Sequence, residues 1–268
     1  MTKLAQGFWT RQSARLTDWH CHLGDLQTSQ LDVAAVLESG HAIHHMSVTP
    51  EEFLARLKQF SHYAQVRPSC GLYPLYVGAD SPSVELFFKL LPHCTLIGEI
   101  GLDFSPQFPE PQQQMMVFEN ILKACHRLGG RCLSIHSRKA GAEVLSLCQH
   151  EFNGTQVLHW YSGPCESLAN IPEHVYFSIN SAMLKSRHGQ ELLKRVPREK
   201  VLLESDAPYL QTSKHQVMPS LFAVVQSLSL RWKVSVEEAI GQLEHNTQNA
   251  LKNIRLELSN EVKDMISF

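Results

Sequence analysis

Two histidines, His20 and His22, sit one residue apart in Asp18-Trp19-His20-Cys21-His22. On a strand, side chains at i and i+2 share one face, so both imidazoles can grip one ion. Asp18 shares that face and is expected to orient a ligand by accepting a ring N–H. Farther along, Gly98-Glu99-Ile100-Gly101-Leu102-Asp103 puts a carboxylate after the apolar pair Leu96-Ile97, between glycines that let the backbone bend closely around a ligand. Glu99 could bridge two ions. Leu133-Ser134-Ile135-His136-Ser137-Arg138 and Val157-Leu158-His159-Trp160-Tyr161-Ser162-Gly163 each carry an apolar run into a histidine, and Leu202-Leu203-Glu204-Ser205-Asp206-Ala207-Pro208 stops at carboxylates. Mixed imidazole and carboxylate donors suit Zn, Mn or Mg rather than a thiolate-bound metal. Two such ions sharing a carboxylate can clamp attacking and leaving oxygens and make bound water a nucleophile near neutral pH. A serine nucleophile is disfavoured, because Ser162-Gly163 lacks the Gly-x-Ser-x-Gly turn.

Residues so far apart need a scaffold that brings strand ends together. Short apolar runs recur at 16–21, 43–48, 66–72, 96–100, 132–136, 156–160, 175–179 and 201–205. Helical stretches separate them: Thr49-Pro50-Glu51-Glu52 opens one toward Gln65, and Pro111 to Leu128 places Met115, Phe118, Ile121, Leu122 and Cys125 on one face. Alternating βα units specify a parallel sheet. An open doubly wound sheet fits the alternation too. Ionisable residues ending the first, fourth, fifth, sixth and eighth runs favour closure into a single-domain α/β (β/α)8 TIM barrel, whose active site lies at the C-terminal mouth.

At 268 residues the chain has room for one such barrel. The expected division is an N-terminal extension over 1–15, the barrel over 16–252 and a tail over 253–268, whose partial amphipathic spacing suits a docking helix or a segment packed on its own barrel. Hydrophobic content of 43% with 19% charged residues is ordinary globular composition. No apolar run reaches the roughly 18 residues that would cross a bilayer, and 1–15 lacks the pattern of a secretory signal. The seven scattered cysteines contain no Cys-x-x-Cys pair, which argues against a disulfide framework and points to a reducing cytoplasm. A net charge of −2 gives no field to draw nucleic acid, so a phosphate substrate must be attracted locally, as by metal ions. Fifteen histidines are the one compositional excess, although His62, His93, His150 and His245 fall on segments that read as solvated helix faces.

These motifs, in this order, resemble the TatD family of metal-dependent deoxyribonucleases over nearly the whole chain, with Asn246-Thr247-Gln248-Asn249-Ala250-Leu251 resembling that family's closing helix. The resemblance implies that His20, His22, Glu99 and Asp206 hold one divalent ion and Glu99, His136 and His159 a second. It implies that Asp206 handles the proton of the attacking water, and that Glu204 joins a third ion or orients a ligand. DNA with single-stranded or frayed ends is the implied substrate, with Arg138 on a phosphate. Two segments depart from the family. Gly71-Leu72-Tyr73-Pro74 carries a phenol where the family has an imidazole, so Tyr73 is a candidate phosphate contact or rim packing rather than a metal ligand. Ser213 to Pro219 replaces a polar substrate-contacting stretch. With the N-terminal segment, these departures make the chain similar to the TatD-like component of the Qat anti-phage system, which implies other proteins of that system as partners. Related barrels that act on lactones, phosphotriesters or amides supply the competing enzyme reading, and a non-catalytic scaffold the competing non-enzymatic one.

Overall fold

A computed structural model of the chain describes residues 16–26, 40–78, 81–210 and 217–254. Eight parallel strands are present: β1 (Thr17–Cys21), β2 (Ala42–Met46), β3 (Val66–Ser69), β4 (Leu96–Asp103), β5 (Arg131–Arg138), β6 (Gly154–His159), β7 (Val175–Ile179) and β8 (Val201–Leu203). Each overlaps one of the apolar runs of the sequence. Two ladders, β1-β2-β3 and β4-β5-β6-β7-β8, are joined at two seams. Cys70 N donates to Leu96 O at 3.0 Å and Gly98 N to Cys70 O at 2.9 Å, tying β3 to β4. Asp206 N donates to His20 O at 2.9 Å and His22 N to Ala207 O at 2.8 Å, tying the end of β8 to β1. The ring therefore closes into the expected (β/α)8 barrel through the backbone of metal-ligand candidates.

The helices are α1 (Pro50–Phe60), α2 (Pro82–Leu90), α3 (Pro111–Leu128), α4 (Gly141–Cys148), α5 (Arg187–Arg195), α6 (Val217–Trp232) and α7 (Val236–Ala250), with a single turn at Leu23–Leu26 after β1. Only a 3-10 turn at Glu166–Ala169 lies between β6 and β7. The start of α1 follows from Thr49, whose hydroxyl accepts from Glu52 N at 3.2 Å ahead of Pro50. It ends at Phe60 rather than near Gln65, because Ser61 Oγ donates back to Lys58 O and Tyr63 N to Phe60 O, diverting the chain into a turn. The other long helix, α3, begins on Pro111 and stops at Gly129, whose φ of 66° few other residues adopt. It buries Phe118, Ile121, Leu122 and Cys125, while Met115 is half-buried.

Period-two alternation sends one set of strand side chains into the barrel and the other out under the helices, and the inward set runs from an apolar floor to a polar mouth. Leu96, Cys132, Val157, Tyr176 and Leu202, one from each of β4 to β8, pack together, with Ala250 and Ile254 beneath them. Two to four residues farther along the same faces come Ser134 and His136, His159, Ser178 and Asn180, Glu204 and Asp206. Alternate residues, among them Leu133, Ile135, Leu158, Phe177 and Leu203, join Phe53, Phe87 and Phe118 in the larger core under the helices. No helix among the described residues is long and apolar enough to cross a membrane. The 1–15 segment, the stretch 211–216 and the tail beyond Ile254 lie outside the described residues.

Candidate metal centre

His20 from β1, His22 just past it, Glu99 from β4, His136 from β5, His159 from β6 and Asp206 just past β8 meet at the barrel mouth. The two Nε2 atoms of His20 and His22 are 3.1 Å apart. Glu99 Oε2 lies 3.7 Å from His20 Nε2 and 3.5 Å from His22 Nε2, and Asp206 Oδ1 lies 3.9 Å from both. Glu99 Oε1 reaches the other side of the site, 2.8 Å from His136 Nδ1. Among the described residues, three sets of donor atoms each fit within 4.8 Å: His20, His22 and Glu99; Glu99, His136 and His159; His20, His159 and Asp206. Glu99 belongs to two of them, as a shared carboxylate must. Lone-pair donors converging at this spacing repel one another unless protons or a cation lie between them, and the imidazole–carboxylate mix is one that Zn, Mn or Mg accepts. The residues therefore fit divalent ions.

Three of the four imidazoles are turned by a partner on the other nitrogen, as ligand histidines commonly are. His20 Nδ1 lies 2.8 Å from Ser134 Oγ, His159 Nδ1 lies 2.7 Å from Glu204 Oε2, and His136 Nε2 lies 3.1 Å from Asp103 Oδ2. The rings of His20 and His159 also stack, with centroids 3.5 Å apart. Glu204 is fully buried and engaged at both oxygens: Asn180 Nδ2 donates to Oε1 at 2.7 Å, and Ser178 Oγ donates to Oε2 beside His159. It thus stands behind His159 and outside the three donor sets. Asp18 is not behind a ring. Its Oδ1 accepts from the amides of His20, at 3.2 Å, and Ser205, at 2.9 Å, because the His20 ring turns across the barrel to Ser134 instead.

Burial and neighbouring charge set the protonation states. Burial, reinforced by His159, holds His20 well below the ordinary imidazole range, and burial lowers His22 as well, so both present lone pairs. For Glu99 burial alone would raise the pKa, but His136, 2.8 Å away, and the nearby His20 take it well below the usual carboxylate value. Burial likewise opposes charge on His159, yet Glu204 outweighs it and pushes the group up to about 10. Asp206 is driven up to about 8, chiefly by burial, with Glu204 and Glu99 adding repulsion. A cation displaces such protons, so occupancy of the site is coupled to pH.

The site opens into a cavity of about 620 Å³ lined in part by Tyr73, Arg138, Trp160 and Tyr209. Tyr73 packs edge-on to His136, ring centroids 5.1 Å apart, and to Phe108 at 5.7 Å. Burial, with repulsion from Glu99 and Asp103, holds its phenol far above the usual range and so neutral. Asp206 at φ 48° and Trp160 at φ 38° occupy the sparsely populated left-handed region. Such residues cost of order 1–3 kcal/mol each and persist where surrounding bonds over-determine them. Sequence reading passed over Asp103, Ser134, Asn180 and Gln114. The first two lie at even spacing from Glu99 and His136 on the same strand faces, a signal that was there to use. Gln114, one turn into α3, brackets the Asp103 backbone by accepting from its N–H at 2.8 Å and donating to its carbonyl at 2.7 Å. Only the tertiary structure reveals that.

A parallel barrel with buried histidines and carboxylates at its C-terminal mouth defines a metal-dependent hydrolase of the barrel class. Residues 17–252 match the model of the TatD related DNase family, and the chain belongs to that family. It is 29% identical over 260 residues to human deoxyribonuclease TATDN3, covering 88% of this chain and 93% of that one. To the 3'-5' ssDNA/RNA exonuclease TatD of Citrobacter rodentium it is 32% identical over 158 residues, 56% of this chain and 60% of that one. The fold is shared with a TatD homologue from Escherichia coli k12, at TM-score 0.70 and 21% identity over 89% of this chain and 98% of that one. A TatD family hydrolase from Entamoeba histolytica superposes at TM-score 0.72 and 16% identity, covering 90% of this chain and 99% of that one.

Proposed function

We propose that this hydrolase is a deoxyribonuclease that cleaves phosphodiester bonds at unpaired DNA ends, with two divalent ions at the barrel mouth. The observation that carries the reading is the sharing of Glu99 between two donor sets within 4.8 Å. His20, His22, Glu99 and Asp206 would hold one ion, and Glu99, His136 and His159 the other. When bound, divalent ions lower the pKa of water toward neutrality and neutralise charge on a phosphoryl group. Asp206 takes the proton of the attacking water, standing at the cavity wall with Oδ1 toward the histidines. Glu204 acts through His159, holding its Nδ1 so that Nε2 faces the site. Arg138 and the neutral Tyr73 phenol line the approach and supply donors to phosphate oxygens.

Activity of the names carried by TATDN3 and TatD supports DNA as substrate, and RNA is tested beside it. The decisive panel gives metal-loaded protein single-stranded DNA, duplex DNA, RNA, a lactone and a small ester. Efficient cleavage of the small esters or lactone with single-stranded DNA left intact overturns the nuclease reading. His136→Ala with Asp206→Ala should abolish cleavage, and unchanged cellular function in that double variant favours a scaffold. A role alongside other proteins of an anti-phage system is supported by the sequence departures at Tyr73 and 213–219. Plaque counts with and without the His136→Ala, Asp206→Ala chain, expressed among its genomic neighbours, test it.

A further inference from the structure

Tyr209 is the one large aromatic that touches the metal-ligand set while remaining mostly open, among the described residues. It is 62% exposed and lines the cavity, and its ring meets that of His22 at 81° with centroids 5.1 Å apart. Exposed tyrosines are common, but this one is pinned: its hydroxyl donates to Asp25 Oδ2 at 2.6 Å, a bond across 184 positions of sequence, from the β8 loop to the turn after β1. With more than half its surface exposed, at least one ring face is available. An oriented, solvent-facing aromatic is what a nucleobase stacks on, and the latch removes the rotamer entropy that stacking would otherwise cost.

Resting on the nuclease reading above, we propose that Tyr209, held by Asp25, is the stacking platform for the unpaired base of the nucleotide flanking the scissile phosphodiester. Because the ring stands against His22, a base lying on it belongs to a nucleotide at the metal cluster rather than to a distant subsite. A base still paired in a duplex has its faces covered by its neighbours and cannot take this seat. Preference for unpaired ends then comes from Tyr209, and Asp25 is a positioning residue that acts through it.

The test compares two single-stranded oligonucleotides, identical except that one carries abasic residues at both terminal nucleotides. The wild-type protein should favour the base-bearing strand in kcat/KM, mainly through KM, by about 5- to 150-fold, the range of one aromatic stack. In Tyr209→Ala that ratio should collapse toward one; Tyr209→Phe and Asp25→Ala, each of which removes the latch but keeps the ring, should both lower it partway. If Tyr209→Ala instead slows both strands by the same factor, the ring merely supports His22 and the proposal is overturned. A separate readout uses terminal 2-aminopurine, whose fluorescence stacking quenches: quenching by wild type and Tyr209→Phe but not Tyr209→Ala supports the platform, and equal quenching by all three sinks it. Should wild type cleave neither strand, the nuclease reading fails, while the quenching result still decides whether Tyr209 stacks a base.

Discussion

His159 can offer Nε2 to an ion only because Glu204 occupies its Nδ1, and the same logic runs through Ser134 on His20 and Asp103 on His136. Removing such partners typically weakens metal affinity about 10- to 100-fold while leaving the ligands in place. Glu204→Gln and Asp103→Asn are therefore each expected to lower zinc or manganese affinity by that factor, measured by competition with a chromophoric chelator. Unaltered affinity in Glu204→Gln would mean that Glu204 does not act through His159. The Asp18 amide bonds predict something different: Asp18→Ala, which removes the acceptor, should disturb the seam between β1 and β8, lowering stability more than affinity.

At the scale of elements, the strand ends are shaped by close backbone approach. Gly101 adopts φ 127°, and a Cβ there would sit 2.1 Å from the His136 carbonyl oxygen on β5. Gly101→Ala should cost of order 1–3 kcal/mol for the backbone conformation alone, and separate Glu99 from His136, so stability and metal affinity fall together. A contrasting change lies on α7, whose start is a capping box between Ser235 and Glu238. Ser235→Ala should cost about 1 kcal/mol in a urea melt with metal affinity unchanged. Coupled losses in Ser235→Ala would mean that the floor of the barrel controls its mouth.

For the whole molecule, buried histidines make stability depend on pH. His44, edge-on to Trp19 at 4.6 Å, and His45 are held down to about 3 by burial, against 6.5 for the ordinary group. The fold prefers their neutral forms, so their contribution is full above pH 6.5 and is lost as pH falls toward 3, at up to about 1.4 kcal/mol per pH unit for each. Glu99, depressed by His136 and His20, adds to the loss at lower pH. Asp206, held up to about 8 by burial, gains stability as pH falls and so runs the other way, and the part played by His44 is read by difference. Relative to wild type, His44→Phe should gain urea midpoint as pH falls from 7 to 4.5, and an identical slope would remove His44 from the account. Ions that bind only the folded chain should raise stability by about 2.7 kcal/mol at a hundredfold excess over Kd, and a chelator should reverse the gain. Melting temperatures insensitive to both would mean that the donor sets stay empty in solution.

Strand positions, the α3 boundaries and the six donor residues were legible in the chain because each is a local signal: apolar runs of strand length, Pro111 and Gly129 as punctuation, and ionisable residues at the ends of runs. Alternation along a strand also assigns faces, which pairs His20 with His22 from the sequence alone. Tertiary structure alone decided what stands behind each ligand. Glu204 backs His159, the Asp18 carboxylate holds amides rather than a ring, Gln114 reaches from α3 to Asp103, and Asp25 latches Tyr209. Such pairings depend on strand register, on the rotation of each ring and on where a loop returns across a seam. Those are set by packing among residues far apart in sequence, and no short-range pattern encodes them.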